Sequence, residues 1–178
     1  VVERDSPPPS GDPDQAFFEW NRRGAAQFKH PHAFLAVMSN LLQDSFPGLM
    51  DDFFAAGARK VTFEDMLPPD LKEKYTPLPG DEKMWLLMCR RATMETVFRR
   101  YAEQQDLISI ESDTQVTALL SHKDGDQILV DGISVKTRDE PERQLLSQVL
   151  IDAGGRNSKL KTWLQAAGGA IKTEDDDA

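Results

Sequence analysis

The residues of this sequence that could do chemistry lie in four places. Near its end, Asp152-Ala-Gly-Gly-Arg-Asn-Ser158 sets an acid before two glycines and two good helix-capping side chains. A glycine turn between a strand and a helix offers backbone N–H groups and a helix N-terminus to a phosphate; an ordinary β-turn-α connection uses the same residues. Cys89-Arg-Arg-Ala-Thr-Met-Glu95 leads into a predicted helix, with charges at Arg91, Glu95 and Arg99. An amphipathic helix with solvated charges has the same spacing. Arg22-Arg-Gly-Ala-Ala-Gln-Phe-Lys-His-Pro-His32 carries arginines, which suit pyrophosphate because they are always charged and fork their donors. His30-x-His32 could be half a metal site, but no Cys, Asp or Glu stands at a known ligand spacing. It could equally flank a helix opened by Pro31. Val1-Val-Glu3 reads as the end of a parallel strand closed by an acid, the position that takes ribose hydroxyls in dinucleotide-binding folds. The same letters occur in many strands. No side chain stands out as a catalytic acid, base or nucleophile.

These groups need elements to position them. Val149-Leu-Ile151 is a short apolar run, as in a strand buried on both faces. Leu160, Trp163, Leu164 and Ala167 share one face of a short helix that Gly168-Gly169 can end. Upstream, residues 15–23 predict a short helix ending at Gly24. Phe34, Val37, Met38, Leu41, Leu42 and Phe46 form a helical stripe, and Leu49, Met50, Phe53 and Phe54 a second one ended by Gly57. Lys60–Glu64 and Met84–Met88 predict strands, with a proline-rich loop between. Thr93 is the predicted cap of a helix with Met94, Val97, Phe98, Tyr101 and Ala102 on its buried face. Arg99 and Arg100 are expected to be solvated. A short strand over Leu107–Glu111 precedes a hairpin of Thr114–Leu120 and Gln127–Lys136 turning at Asp124-Gly125. Asp131-Gly132 marks a bulge.

The net charge of -9 argues against nucleic acid or an anionic membrane as a partner. One cysteine, Cys89, excludes an internal disulfide. No apolar run reaches membrane-spanning length, so a cytoplasmic protein is expected. The chain opens on Val1 without an initiator Met, which predicts an internal fragment of a longer protein.

Four of these segments, in this order, resemble the FAD-dependent monooxygenases of the p-hydroxybenzoate hydroxylase-like group. Asp152–Ser158 is similar to their D-A-x-G-R-x-S segment, and the stretch from Arg22 to Leu35 to their R-x-G-x-x-Q-x-x-H-x-H-x-L-L segment. Arg91, Glu95 and Arg99 resemble their R-x-x-x-E-x-x-x-R helix entry, and Val1–Glu3 their strand-ending acid. The resemblance runs from Val1 to about Leu164. It implies an α/β fold: a partial FAD/NAD(P)-binding Rossmann-like domain over 1–169, with a parallel sheet, flanking helices and a small antiparallel β-meander. Residues 170–178 would be an acidic tail or the start of a missing segment. The upstream G-x-G-x-x-G loop, the second G-D flavin segment and the substrate-covering sheet are expected to lie outside this sequence.

By the same resemblance Glu3, Arg23, Arg91, Val116, Asp152 and Gly155 would bind the cofactor. Gln27, His30 and His32 would approach the flavin ring or the substrate, and no metal is implied. The implied activity is reduction of FAD by NAD(P)H, addition of O2, and oxygenation of a small organic substrate by the flavin hydroperoxide. A halogenase or a reductase on the same scaffold is an alternative, though Trp20, Trp85 and Trp163 do not form the Trp-x-Trp-x-x-Ile element of halogenases. A non-catalytic interaction domain is another.

Overall fold

The computed structural model describes residues 1–25 and 27–172, which divide into two compact units. One runs from Ser6 to Ser109; the other joins Val1–Asp5 to the chain from Ile110 onward. The acidic stretch 174–177 lies outside the described residues. The architecture is mixed α/β, with two three-stranded sheets that are both antiparallel.

The Ser6–Ser109 unit opens with α1 (Pro13–Glu19). Asp12 caps it by accepting the Gln15 N–H at 2.9 Å, and Pro13 fills the first turn, where no N–H is needed. The helix was expected to run on to Gly24. It stops at Trp20, whose buried indole donates to the Ser6 carbonyl at 2.8 Å. Then come β1 (Pro31–Phe34), α2 (Ala36–Ser45), α3 (Pro47–Ala55), β2 (Arg59–Thr62), α4 (Pro69–Lys72), β3 (Trp85–Arg90) and α5 (Arg91–Glu103). The sheet order is β1-β3-β2. Pro31 therefore opens an edge strand and not a helix. An edge tolerates proline at its first residue because one N–H can be spared.

Leu42 of α2, Leu49, Met50 and Phe53 of α3, Trp85 and Leu87 of β3, and Met94 and Val97 of α5 form one core. Fully buried Phe53 meets Phe34 and Phe98 edge-on, with ring centres 6.2 and 5.3 Å away. Trp85 donates Nε1–H to Asn40 Oδ1 at 2.9 Å, so its polar edge is satisfied inside that core. β3 passes into α5 without a loop. Thr93 is consequently buried inside the helix and does not cap it. Arg99 and Arg100 are not simply solvated either. Arg99 pairs with Glu103 at 2.6 Å and is 11% exposed, and Arg100 donates to the carbonyls of Pro9, at 3.2 Å, and Gly11.

The other unit holds β4 (Thr114–Asp124), β5 (Gln127–Thr137) and β6 (Arg143–Leu146), a meander in that order, followed by α6 (Leu160–Ala166). The hairpin turns at Asp124-Gly125, with Gly125 at φ +58. Asp131 bulges beside Gly132, as the sequence predicts: Leu120 pairs with Gly132, and Ser121 with Val130. A second bulge falls at Thr117, between the pairs Val116–Val135 and Ala118–Ser134. A Cβ on Gly132 would stand 2.0 Å from the Leu145 carbonyl oxygen, so glycine is what lets β6 pair this closely.

Val2 makes an isolated parallel bridge with Glu111, the one parallel pairing among the described residues. No strand forms over Val149–Ile151, where one was expected: Val149 is 76% and Ile151 84% exposed. A strand buried on both faces needs hydrogen-bonding neighbours at both edges. No described residue supplies one here.

The Asp131 bulge also sets a titratable pair. Its Oδ2 lies 2.7 Å from His122 Nδ1. That hydrogen bond, then the charges of Asp131 and Asp124, raise the His122 pKa above its ordinary 6.5. A raised folded-state pKa gives stabilisation that is complete below the unfolded value and lost as pH rises through the folded one. We expect NMR titration of His122 to place its midpoint above 6.5, and Asp131→Asn to lower it. An unchanged midpoint in the variant would show that Asp131 does not set this pKa. The pair is open to solvent, so the effect on stability is small.

Candidate functional site

Of the residues that the resemblance singles out, Arg23, Gln27, His30, His32 and Arg91 fall in the Ser6–Ser109 unit, and Glu3, Val116, Asp152 and Gly155 in the other. In the first unit the segment after α1 is anchored by apolar packing. Trp20 and Phe28 meet edge-on with ring centres 5.5 Å apart, and both pack with Ala16 and Ala92 in a small second core. This brings Arg22 to the start of α5. Arg22 Nε donates to Glu95 Oε2 at 2.9 Å, and Arg91 Nε donates to Glu95 Oε1 at 2.8 Å. The Arg22 guanidinium also lies 5.0 Å over the Trp20 ring. The Arg91 N–H donates to the His30 carbonyl at 3.0 Å, tying the His30 end of the loop to the same helix start. Glu95 is 12% exposed, Arg22 17% and Arg91 35%. Glu95 thus ties two guanidiniums together, and Arg91, the more exposed of the two, has the charge and the donors to suit a phosphate or another compact anion.

The arginine brought into this cluster is Arg22. Arg23, the one expected to contact a cofactor, is exposed in the turn at Gly24. Gln27 and His30 are exposed as well, and the Gln27 carbonyl accepts the His30 N–H at 3.0 Å. His32 is half-buried in β1, edge-on to Phe34 at 5.4 Å. Among the described residues no group of three or more His, Cys, Asp and Glu side chains could hold a metal ion. Burial pushes the Cys89 thiol up to about 11, so it stays protonated near neutral pH.

In the other unit, Glu3 runs beside Glu111. Its N–H donates to the Glu111 carbonyl at 2.8 Å, and its carbonyl accepts the Thr114 N–H at 3.0 Å. Its Oε1 accepts the Asp5 N–H at 3.1 Å. Val116 is half-buried in β4 opposite Val135. Asp152 spends its carboxylate on its own loop: Oδ1 accepts the Gly154 N–H at 2.8 Å, and Oδ2 accepts the Ser158 hydroxyl. Gly155 has φ +66 and open space where a Cβ would stand. Ser158 Oγ accepts the Leu160 N–H at 3.1 Å, just before α6, whose N-cap position is Lys159. Acid and glycine turn therefore occur as predicted, without the strand before them, and neither Asn157 nor Ser158 stands at the helix N-cap.

Of this cluster, Arg22 and Glu95 are the residues to which the resemblance assigns no cofactor contact; Glu95 enters it only as part of the R-x-x-x-E-x-x-x-R motif. Signals for both exist. In R-x-G, counting back from Gly24 lands on Arg22, and Arg91-x-x-x-Glu95 is the i, i+4 spacing of a helical ion pair. No protein-family model matches the chain, and no curated protein matches it. No helix among the described residues is long and apolar enough to cross a membrane.

Proposed function

We propose that the protein is an FAD-dependent oxidoreductase of the cytoplasm, an NAD(P)H-dependent monooxygenase that acts with O2 on a small organic substrate. One observation carries the reading. Two segments that separately resemble the flavin monooxygenases, 73 residues apart at Arg22 and Glu95, converge on a single carboxylate. The donors suit the group: Arg91 supplies an always-charged fork for a pyrophosphate, with Arg22 beside it, and Arg23 would contact the cofactor from the exposed turn at Gly24. Glu3 would take ribose hydroxyls, and Val116, Asp152 and Gly155 would line the cofactor. Gln27, His30 and His32 would face the flavin ring or the substrate. The parallel bridge of Val2 with Glu111 supports the finer fold reading, a Rossmann-like parallel sheet beside the meander. The bound flavin supplies the redox chemistry; the chain's own task is to hold and polarise it and to keep water away.

The deciding experiment is the visible spectrum of the purified protein after mixing with FAD and gel filtration. A flavin spectrum that elutes with the protein is expected. A folded, colourless protein after mixing would defeat the reading. Exposed Leu35, Val37 and Leu41 around α2 favour a second reading, a non-catalytic interaction domain. It predicts that neither Arg91→Ala nor Asp152→Ala alters any flavin binding.

A further inference from the structure

An acid stands at the centre of the cluster that is meant to bind an anion. On charge alone Glu95 would repel a phosphate, and removing it would strengthen binding. The geometry argues the reverse. Each carboxylate oxygen takes one Nε–H, from Arg22 at 2.9 Å and from Arg91 at 2.8 Å. A bond through Nε fixes the plane of a guanidinium and leaves its terminal nitrogens outside the pair. Those of Arg91 make no hydrogen bond among the described residues. Arg22 has a second anchor, since it lies over the Trp20 ring, and the Arg91 backbone N–H fixes the start of the helix by donating to the His30 carbonyl. The fork is thus braced before any ligand arrives, which lowers the ordering cost of binding.

We infer that Glu95 is a positioning residue: held on its other oxygen by Arg22, it fixes the Arg91 guanidinium for a phosphate or pyrophosphate group, and this orienting effect outweighs its own repulsion. The choice of ligand, the pyrophosphate of FAD, rests on the flavin reading above.

The test separates geometry from charge. FAD and riboflavin, which lacks phosphate, are titrated into the wild type, Glu95→Gln and Glu95→Asp, with circular dichroism as a check of folding. Glu95→Gln removes the repelling charge at nearly constant size; Glu95→Asp keeps the charge and shortens its reach. Both variants are expected to bind FAD about tenfold more weakly, the order of one charge-assisted hydrogen bond, with riboflavin affinity unchanged. If Glu95→Gln does not fold, Glu95→Asp alone decides. A wild type that does not bind FAD removes the flavin reading and this inference with it. A wild type that binds FAD, with variants that bind it equally well or better, leaves the flavin reading standing and ends the role of Glu95. Riboflavin affinity falling in step with FAD would mean a general structural loss and would also end it.

Discussion

Replacing Phe53 with alanine is expected to cost the Ser6–Ser109 unit a large part of its stability and to move its urea midpoint far down. Phe53 is fully buried, and its ring is met edge-on by Phe34 of β1 and Phe98 of α5. It therefore ties a strand, a helix and its own helix α3 together at one point. Truncating such a ring costs about 3–5 kcal/mol, the transfer energy plus the cavity left behind. A domain of this size has only about 5–15 kcal/mol in total. Urea unfolding followed by fluorescence of Trp20 and Trp85, both in this unit, would measure the loss. Phe18→Ala is the control, since Phe18 is 70% exposed and its removal should change stability by no more than about 0.5 kcal/mol. A midpoint for Phe53→Ala equal to that of the control would show that this core is not what holds the unit.

Arg91→Ala is expected to weaken FAD binding by about 10–100-fold, the loss of one or two hydrogen bonds to a charged group. The unit should stay folded. Alanine is the best helix former, and Arg91 is the first residue of α5, about a third exposed. Arg99→Ala should leave FAD affinity unaltered, because Arg99 pairs with Glu103 a helix turn or more away from the cluster. Flavin-fluorescence titration of the two variants separates a specific role from a general effect of lost positive charge. Equal losses in both would leave only net charge as the explanation, and no loss in either would defeat the assignment of Arg91 to the cofactor.

Much of the fold was legible because local pattern and tertiary packing agree. The stripe through Phe53 is helical by spacing and buries Leu49, Met50 and Phe53 in the core; the one through Leu42 is helical too, but it buries only Leu42 and leaves Val37, Leu41 and Phe46 exposed, and Phe34 belongs to β1. Asp124-Gly125 and Asp131-Gly132 mark a turn and a bulge through backbone requirements that act within a few residues. The misses are positions fixed from far away. Pro31 looks like a helix start, yet it opens a strand because it pairs with Arg90. Thr93 looks like a cap, yet β3 turns straight into a helix at Arg91 and draws Thr93 inside. Val149–Ile151 has the composition of a buried strand, but strand formation depends on partners and not on composition. For the site, the Arg91–Glu95 pair is local and could be read. The choice of Arg22 over Arg23 depends on the phase of the loop after α1, which the packing of Trp20 against Phe28 sets.

The two bulges of the β4–β5 hairpin have a genetic counterpart. Thr117 is the unmatched residue of β4, and Asp131 is the unmatched residue of β5. The pairs beyond them, Thr114–Thr137 at the open end and Asp124–Gln127 at the turn, obey the same register. To the ladder, the first bulge is a frameshift and the second its suppressor on the opposite strand. Deleting either residue alone would put one end of the hairpin out of phase, exchanging its inward and outward faces. Deleting both restores the phase. In the history of such a hairpin, single-residue insertions and deletions at these two places should survive as matched pairs.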